Sequence, residues 1–245
     1  MAAITVEVCV DDLAGLAEAV HGGAHRIELC AALALGGLTP SVGFMRQAAQ
    51  APIPVYAMVR PRPGSFVWSA GEMDVIRHDV DAAAAAGLSG VVLGVSTTSG
   101  ALDAERCAAL VAHARDAGLA ATLHRAIDLT PDPVEAVDVA VGIGVERMLT
   151  SGGARSAPEG ADTIAAMVQR AGGRVSIMAG SGVNAGNAAA LIRRTGVREV
   201  HGSCSRPIAE THPRLIDLGF SDPRARATVA DDVAALVAAV GTINT

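Results

Sequence analysis

"HGGAHRIELC", residues 21–30, is the stretch on which the fold turns. A polar, helix-like run reaches a glycine, a few residues follow, and a short apolar strand begins. The phrase returns as "AGLSGVVLG" (86–94), "AGLAATLH" (117–124), "IGVERMLT" (143–150), "AGGRVSIM" (171–178) and "TGVREVHG" (195–202). The repeat falls every 25–32 residues or so (~), the size of one strand-plus-helix unit. Each glycine suits a helix C-terminus, where positive φ is needed. Helix starts are marked as well. Asp11 or Asp12, Ser41, Asp103 and Asn184 precede periodic Ala/Leu/Val runs, and Ser69 to Glu72, "SAGE", resembles a capping box.

Strands are expected at 4–9, 26–30, 53–59, 90–94, 119–124, 146–150, 174–179 and 198–202. A helix follows each, the last at 229–240. Short, mostly apolar strands suit a parallel sheet covered by helices. Eight such units predict an α/β protein, a (β/α)₈ TIM barrel, as one domain over 1–245. The rival is a doubly wound open sheet. It would place a Gly-rich dinucleotide turn after the first strand, and "CVDDLAG" offers none, so no nucleotide cofactor is indicated. The uncharged run 82–102 reads as helix, turn, strand and loop rather than a membrane span.

Composition narrows the function. Net charge is −6 and the pI about 5.6, which argues against nucleic-acid or polybasic membrane partners. All 19 basic residues are Arg, so Schiff-base aldolase chemistry has no lysine amine to use. One Trp, one Tyr and three Phe leave little for stacking on single-stranded nucleic acid. The N-terminal "MAAITVEVCV" lacks the basic and long apolar regions of a signal peptide, and four cysteines then fit a reducing cytoplasm.

Barrel active sites lie at the C-terminal strand ends. There the sequence places Glu7 and Cys9, Glu28 and Cys30, Arg60, His124 with Arg125 and Asp128, and His201. Alternation puts Glu7 with Cys9 on one face and Glu28 with Cys30 on one face, toward the barrel interior. Buried carboxylates need partners, and Arg60 and Arg125 are the expected cations, with His124 able to donate or accept. Two readings follow: a structural ion-pair network, or a catalytic cluster. In the second, Glu7, Glu28, His124, Asp128 and His201 provide acid/base chemistry and Arg60 holds an anionic or carbonyl oxygen.

Glycine-rich ends on strands six to eight suggest an anion site. Ser151, Gly152 and Gly153, then Gly180, Ser181, Gly182 and Asn184, then Gly202 and Ser203 can present backbone N–H groups to a phosphate, or can simply form tight turns. Cys9 and Cys30 are a further pair. With strands one and two in register their sulfurs would lie close, and soft paired thiolates suit Cu(I). They would not make a zinc site alone.

Together "EVCVDD", "GGAHRIELC", "GGLTPS", "PVYAMVRPRPGSF", "LHRAID", "LTSGG", "MAGSGVN" and "HGS" closely resemble the CutC family over about residues 4–203. The resemblance implies a cytoplasmic, homo-oligomeric (dimeric or tetrameric) TIM barrel linked to copper homeostasis, with the family's two cysteines at Cys9 and Cys30. Pro63 stands where a Gly is common, and "FVWSAGE" lacks the acidic residue usual after the Phe, so the loop above the pocket is expected to differ. Two functions are carried forward: copper binding at Cys9 and Cys30, or an enzyme acting on a small anionic or phosphorylated substrate.

Overall fold

A computed structural model of the chain describes residues 4–209 and 212–243. The ends of the expected 1–245 span lie outside the described residues. Eight parallel strands close into a barrel: β1 (Thr5–Val10), β2 (Arg26–Leu29), β3 (Val55–Met58), β4 (Gly90–Leu93), β5 (Ala120–Leu123), β6 (Arg147–Thr150), β7 (Ser176–Ala179) and β8 (Glu199–Gly202), in that order, with β8 pairing back to β1. The helices are α1 (Leu13–His21), α2 (Val42–Ala48), α3 (Ala70–Ala86), α4 (Ala104–Asp116), α5 (Ala136–Ile143), α6 (Ala161–Ala171), α7 (Ala188–Thr195), a short α8 (Pro213–Asp217) and α9 (Ala230–Gly241). The (β/α)₈ barrel expected from the repeat is the fold.

The local signals act as chemistry requires. Asp12, Ser41 and Asp103 accept backbone N–H bonds at the starts of α1, α2 and α4. Ser69 and Glu72 form a full capping box on α3. Gly87, Gly144 and Gly196 end α3, α5 and α7 in the left-handed conformation. Asn184 differs from expectation. Helix α7 begins later, after Asn187, and the Asn184 side chain instead accepts from Gly186 N–H at 2.9 Å within the preceding loop. The uncharged run 82–102 divides among the end of α3, β4 and a loop.

Side-chain alternation builds two layers. Val6, Val8, Ile27 and Leu29 are fully buried between strands and helices, in the main apolar core. The opposite face points into the barrel, where bulky aliphatic residues usually dominate. Here much of the lower interior is polar. Arg26 binds Glu7 beside it and Glu199 on β8, and its Nη2 lies 3.2 Å from Met178 Sδ across the barrel. Arg147 joins Glu199 at 3.3 Å. The Tyr56 ring is covered by Arg26 at 5.4 Å and Arg147 at 5.0 Å. Gly90 makes room for that ring, since a Cβ there would come within 2.3 Å of it.

After β8 the chain departs from the simple repeat. β9 (Ser205–Pro207) and β10 (Arg226–Thr228) form an antiparallel pair flanking α8. Only then does α9 pack against α1 and α7 and complete the helical ring.

Candidate functional site

Strand register decides which groups meet. On β1 and β2, Glu7 stands beside Arg26 and Cys9 beside Glu28. Cys30 is therefore one inward-facing position beyond Cys9's neighbour. On the other side of β1, Glu7 stands beside His201 of β8. The backbone partner of Cys9 is thus Glu28 rather than Cys30, and the Cys9 charge still acts on the Cys30 thiol. Cys9, Glu28 and His201 each present one ligand atom, all within 4.8 Å of one another, and all three residues are buried.

The imidazole is fixed from behind. His201 Nδ1 is 2.8 Å from Glu7 Oε1, leaving Nε2 toward Glu28 Oε2 at 3.8 Å. A carboxylate behind one ring nitrogen, with the other aimed at a shared centre, is the usual way of orienting a metal-binding histidine. Burial would raise the Glu7 carboxyl, but the hydrogen bond from His201 and the charge of Arg26 outweigh it and hold it at about 2. Burial raises the Glu28 carboxyl above its ordinary value, with nearby Glu7 adding to the effect. Burial disfavours charge on His201, yet Cys9 and Glu28 keep its pKa well above that of a free imidazole. Cys30 turns its thiol to Glu28 Oε2 at 3.5 Å, and burial followed by the Glu28 charge raises that thiol.

A cavity of about 640 Å³ opens above this cluster at the C-terminal mouth. Glu28, Arg60, His124 and His201 line it, and Glu7 and Asp128 do not. Cys9 lines it and Cys30 does not; Cys30 packs with Tyr56, Met58 and Val92. Ser181, Gly182, Asn184, Gly202 and Ser203 lie in its wall, whereas Ser151, Gly152, Gly153 and Gly180 are outside it.

The reason for the β6 loop's absence is local. Asp128 takes up the loop's donors: Thr150 Oγ1 at 2.5 Å, Ser151 N–H at 3.1 Å, Ser151 Oγ at 2.9 Å and Gly153 N–H at 3.1 Å. Gly152 N–H is held by Thr150 Oγ1, and Gly180 N–H by the Thr150 carbonyl. Those amides are satisfied by the protein itself.

The expected cation pairing is also revised. Arg60 bonds to the carbonyls of Leu35, Gly37 and Gly64 rather than to Glu7 or Glu28. Arg125 pairs with Asp128 at 2.8 Å and reaches Ser151. Arg26 is the cation that neutralises Glu7. Its place was legible in principle, since it lies two residues before Glu28 and alternation puts both on one face. Burial lowers the pKa of His124 to about 3, so its ring is neutral at ordinary pH.

Fold and site together define a parallel eight-stranded barrel with a thiol, an imidazole and a carboxyl converging beneath a C-terminal cavity. The chain belongs to the CutC family, whose profile matches residues 4–206. A CutC family protein of Caulobacter vibrioides (strain NA1000 / CB15N) is 53% identical over 239 residues, 97% of either chain. One from Rhizobium meliloti (strain 1021) is 51% identical over 236 residues, 96% of either chain. The solved structure of the putative copper homeostasis protein CutC from Streptococcus agalactiae is similar, with a TM-score of 0.77 and 33% identity, covering 82% of this chain and 98% of that one. No helix among the described residues is long and apolar enough to cross a membrane.

Proposed function

We propose that the protein serves copper homeostasis by holding Cu(I) at the cavity floor. The observation that carries this reading is the convergence of Cys9, Glu28 and His201 within 4.8 Å. Cu(I) is soft and favours thiolate, with imidazole as a good second donor, whereas a carboxylate is a hard ligand suited to other ions. Cys9 Sγ is thus the primary ligand and His201 Nε2 the second, with Glu7 setting the ring. Cys30, two residues beyond Glu28 on the same face, supplies a second thiolate if the metal displaces its proton. A reducing cytoplasm keeps these thiols available. Family membership and the name of the S. agalactiae relative support the copper assignment.

Competitive Cu(I) titration against a calibrated chelator tests it. Cys9→Ser is expected to lower affinity by about 100-fold and His201→Ala by roughly tenfold or more. A Cys30→Ser effect as large as that of Cys9→Ser would assign the two-thiolate form. Unchanged affinity in all three variants would remove the reading.

A further inference from the structure

We propose that the cavity above the thiol cluster binds a small phosphorylated sugar or polyol. The cavity's volume, about 640 Å³, lies in the range of small-molecule sites and far exceeds the needs of an ion. Two features of its wall name the ligand.

The first is a phosphate cradle on the β7 side. Ser181 and Gly182 both have left-handed backbone, with φ of 75° and 74°. The N–H groups of Ser181, Gly182 and Val183 donate to no described residue. The contrast with the β6 loop is direct, because there Asp128 consumes the amides. Arg226 stands in the same cavity wall, and its guanidinium bonds only to Ser205 among the described residues, Nε to Oγ at 3.1 Å. Clustered free amides with an arginine are suited to phosphate oxygens.

The second is a pair of buried polar atoms without partners, on side chains just after β3 and β5. Arg60 is 6% exposed and its Nε has no hydrogen bond. His124 is 3% exposed and its Nε2 has none either. Buried polar atoms are rarely left in this state. His124 Nδ1 accepts from Ala126 N–H at 3.2 Å, so in the neutral ring Nε2 carries the proton and donates. Phe66 packs on both groups, 4.6 Å from the His124 ring and 4.9 Å from the Arg60 guanidinium, and fixes their direction. Both donors are closed off from solvent beside the cavity that Arg60 and His124 line, and a small side-chain rotation brings them to oxygen acceptors, which the hydroxyls or carbonyl of a sugar or polyol supply.

Away from Glu28 on the floor, charge in the wall favours an anion. Arg125 is neutralised by Asp128 and Asp232 by Arg206, while Arg60 and Arg226 have no carboxylate partner among the described residues. The phosphate lies on the 181–183 amides and Arg226, and the hydroxylated body extends toward Arg60 and His124. This site does not depend on the copper reading.

Calorimetric titration of the full chain with ribose 5-phosphate, ribose and inorganic phosphate, in the presence of a metal chelator, tests the proposal. Saturable binding of ribose 5-phosphate is expected, with ribose and inorganic phosphate each weaker by about tenfold or more. Arg226→Gln, at an exposed position, should weaken ribose 5-phosphate by about tenfold without lowering the Tm of the free protein. Backbone amide shifts in the wild type should centre on residues 181–183. The proposal is overturned by absence of saturation below about 10 mM, equal binding of ribose or of inorganic phosphate, or wild-type affinity in Arg226→Gln.

Discussion

Arg26 shows how much one side chain can carry in a barrel interior. It neutralises Glu7 and Glu199, covers Tyr56 and touches Met178. Removing it strips Glu7 of its guanidinium partner and leaves Glu199 to Arg147 in a buried layer. Arg26→Met is therefore expected to lower stability by about 3–5 kcal/mol, measured by urea unfolding. Protonation should show the same layer. Glu7 is held at about 2 against an ordinary 4.5, so its stabilisation is complete above pH 4.5 and is lost as pH falls toward 2. His124 is held at about 3 against 6.5, so the unfolded chain takes up a proton below pH 6.5 that the folded one refuses. Both slopes have the same sign, and each is worth on the order of 3–5 kcal/mol. Glu28, raised by burial, has the opposite sign above pH 4.5, so the net fall should be steepest between about 4.5 and 3, where Glu7 and His124 act together. In His124→Asn, pH-dependent denaturation should lose the portion between 6.5 and 4.5.

At the scale of elements, the loops after the strands divide the work. Asp128, in the short 3₁₀ segment Arg125–Leu129 after β5, ties the β6 loop to itself through five donors, counting Arg125. Asp128→Ala should destabilise the protein by about 2–4 kcal/mol in chemical denaturation while leaving Cu(I) affinity near wild type. Gly152 belongs to the same unit: its φ is 72° and a Cβ would meet the Gly160 carbonyl at 2.4 Å. Read from sequence, "LHRAID" and "TSGG" were equally good as catalytic and anion-binding motifs. Composition alone does not reveal that the acid of one motif occupies the amides of the other. In "GSGVN" the N–H groups of Gly180 and Asn184 are taken by Thr150 and Asn187, and only those of Ser181, Gly182 and Val183 donate to no described residue.

Across the whole molecule, α9 completes the helical ring around the closed barrel. The helix buries Val233, Leu236 and Val240, and Gly22 at the end of α1 meets it with no space to spare. A Cβ at Gly22 would lie 2.5 Å from Val233 Cβ and 2.6 Å from the Ala230 carbonyl. Gly22→Ala should cost about 1–3 kcal/mol from overpacking, read as a lowered urea midpoint. Leu236→Ala should cost about 2–5 kcal/mol by leaving a cavity at the same seam. The inserted β9, α8 and β10 segment separates β8 from α9 without disturbing that contact.

The eight strands, their helices, most caps and the inward direction of Glu7, Cys9, Glu28 and Cys30 follow from the chain itself. Their causes are local: alternation along a strand, side-chain caps and glycine at helix ends. Which polar groups meet was decided only in three dimensions. Barrel closure brings β8 beside β1 across almost the whole chain length, so His201 reaches Glu7 and joins Cys9 and Glu28. The stagger between β1 and β2 sets Cys9 beside Glu28 rather than Cys30. A shift of two residues preserves every inward and outward assignment, so hydrophobic patterning does not distinguish the registers, and the packing of the closed barrel does.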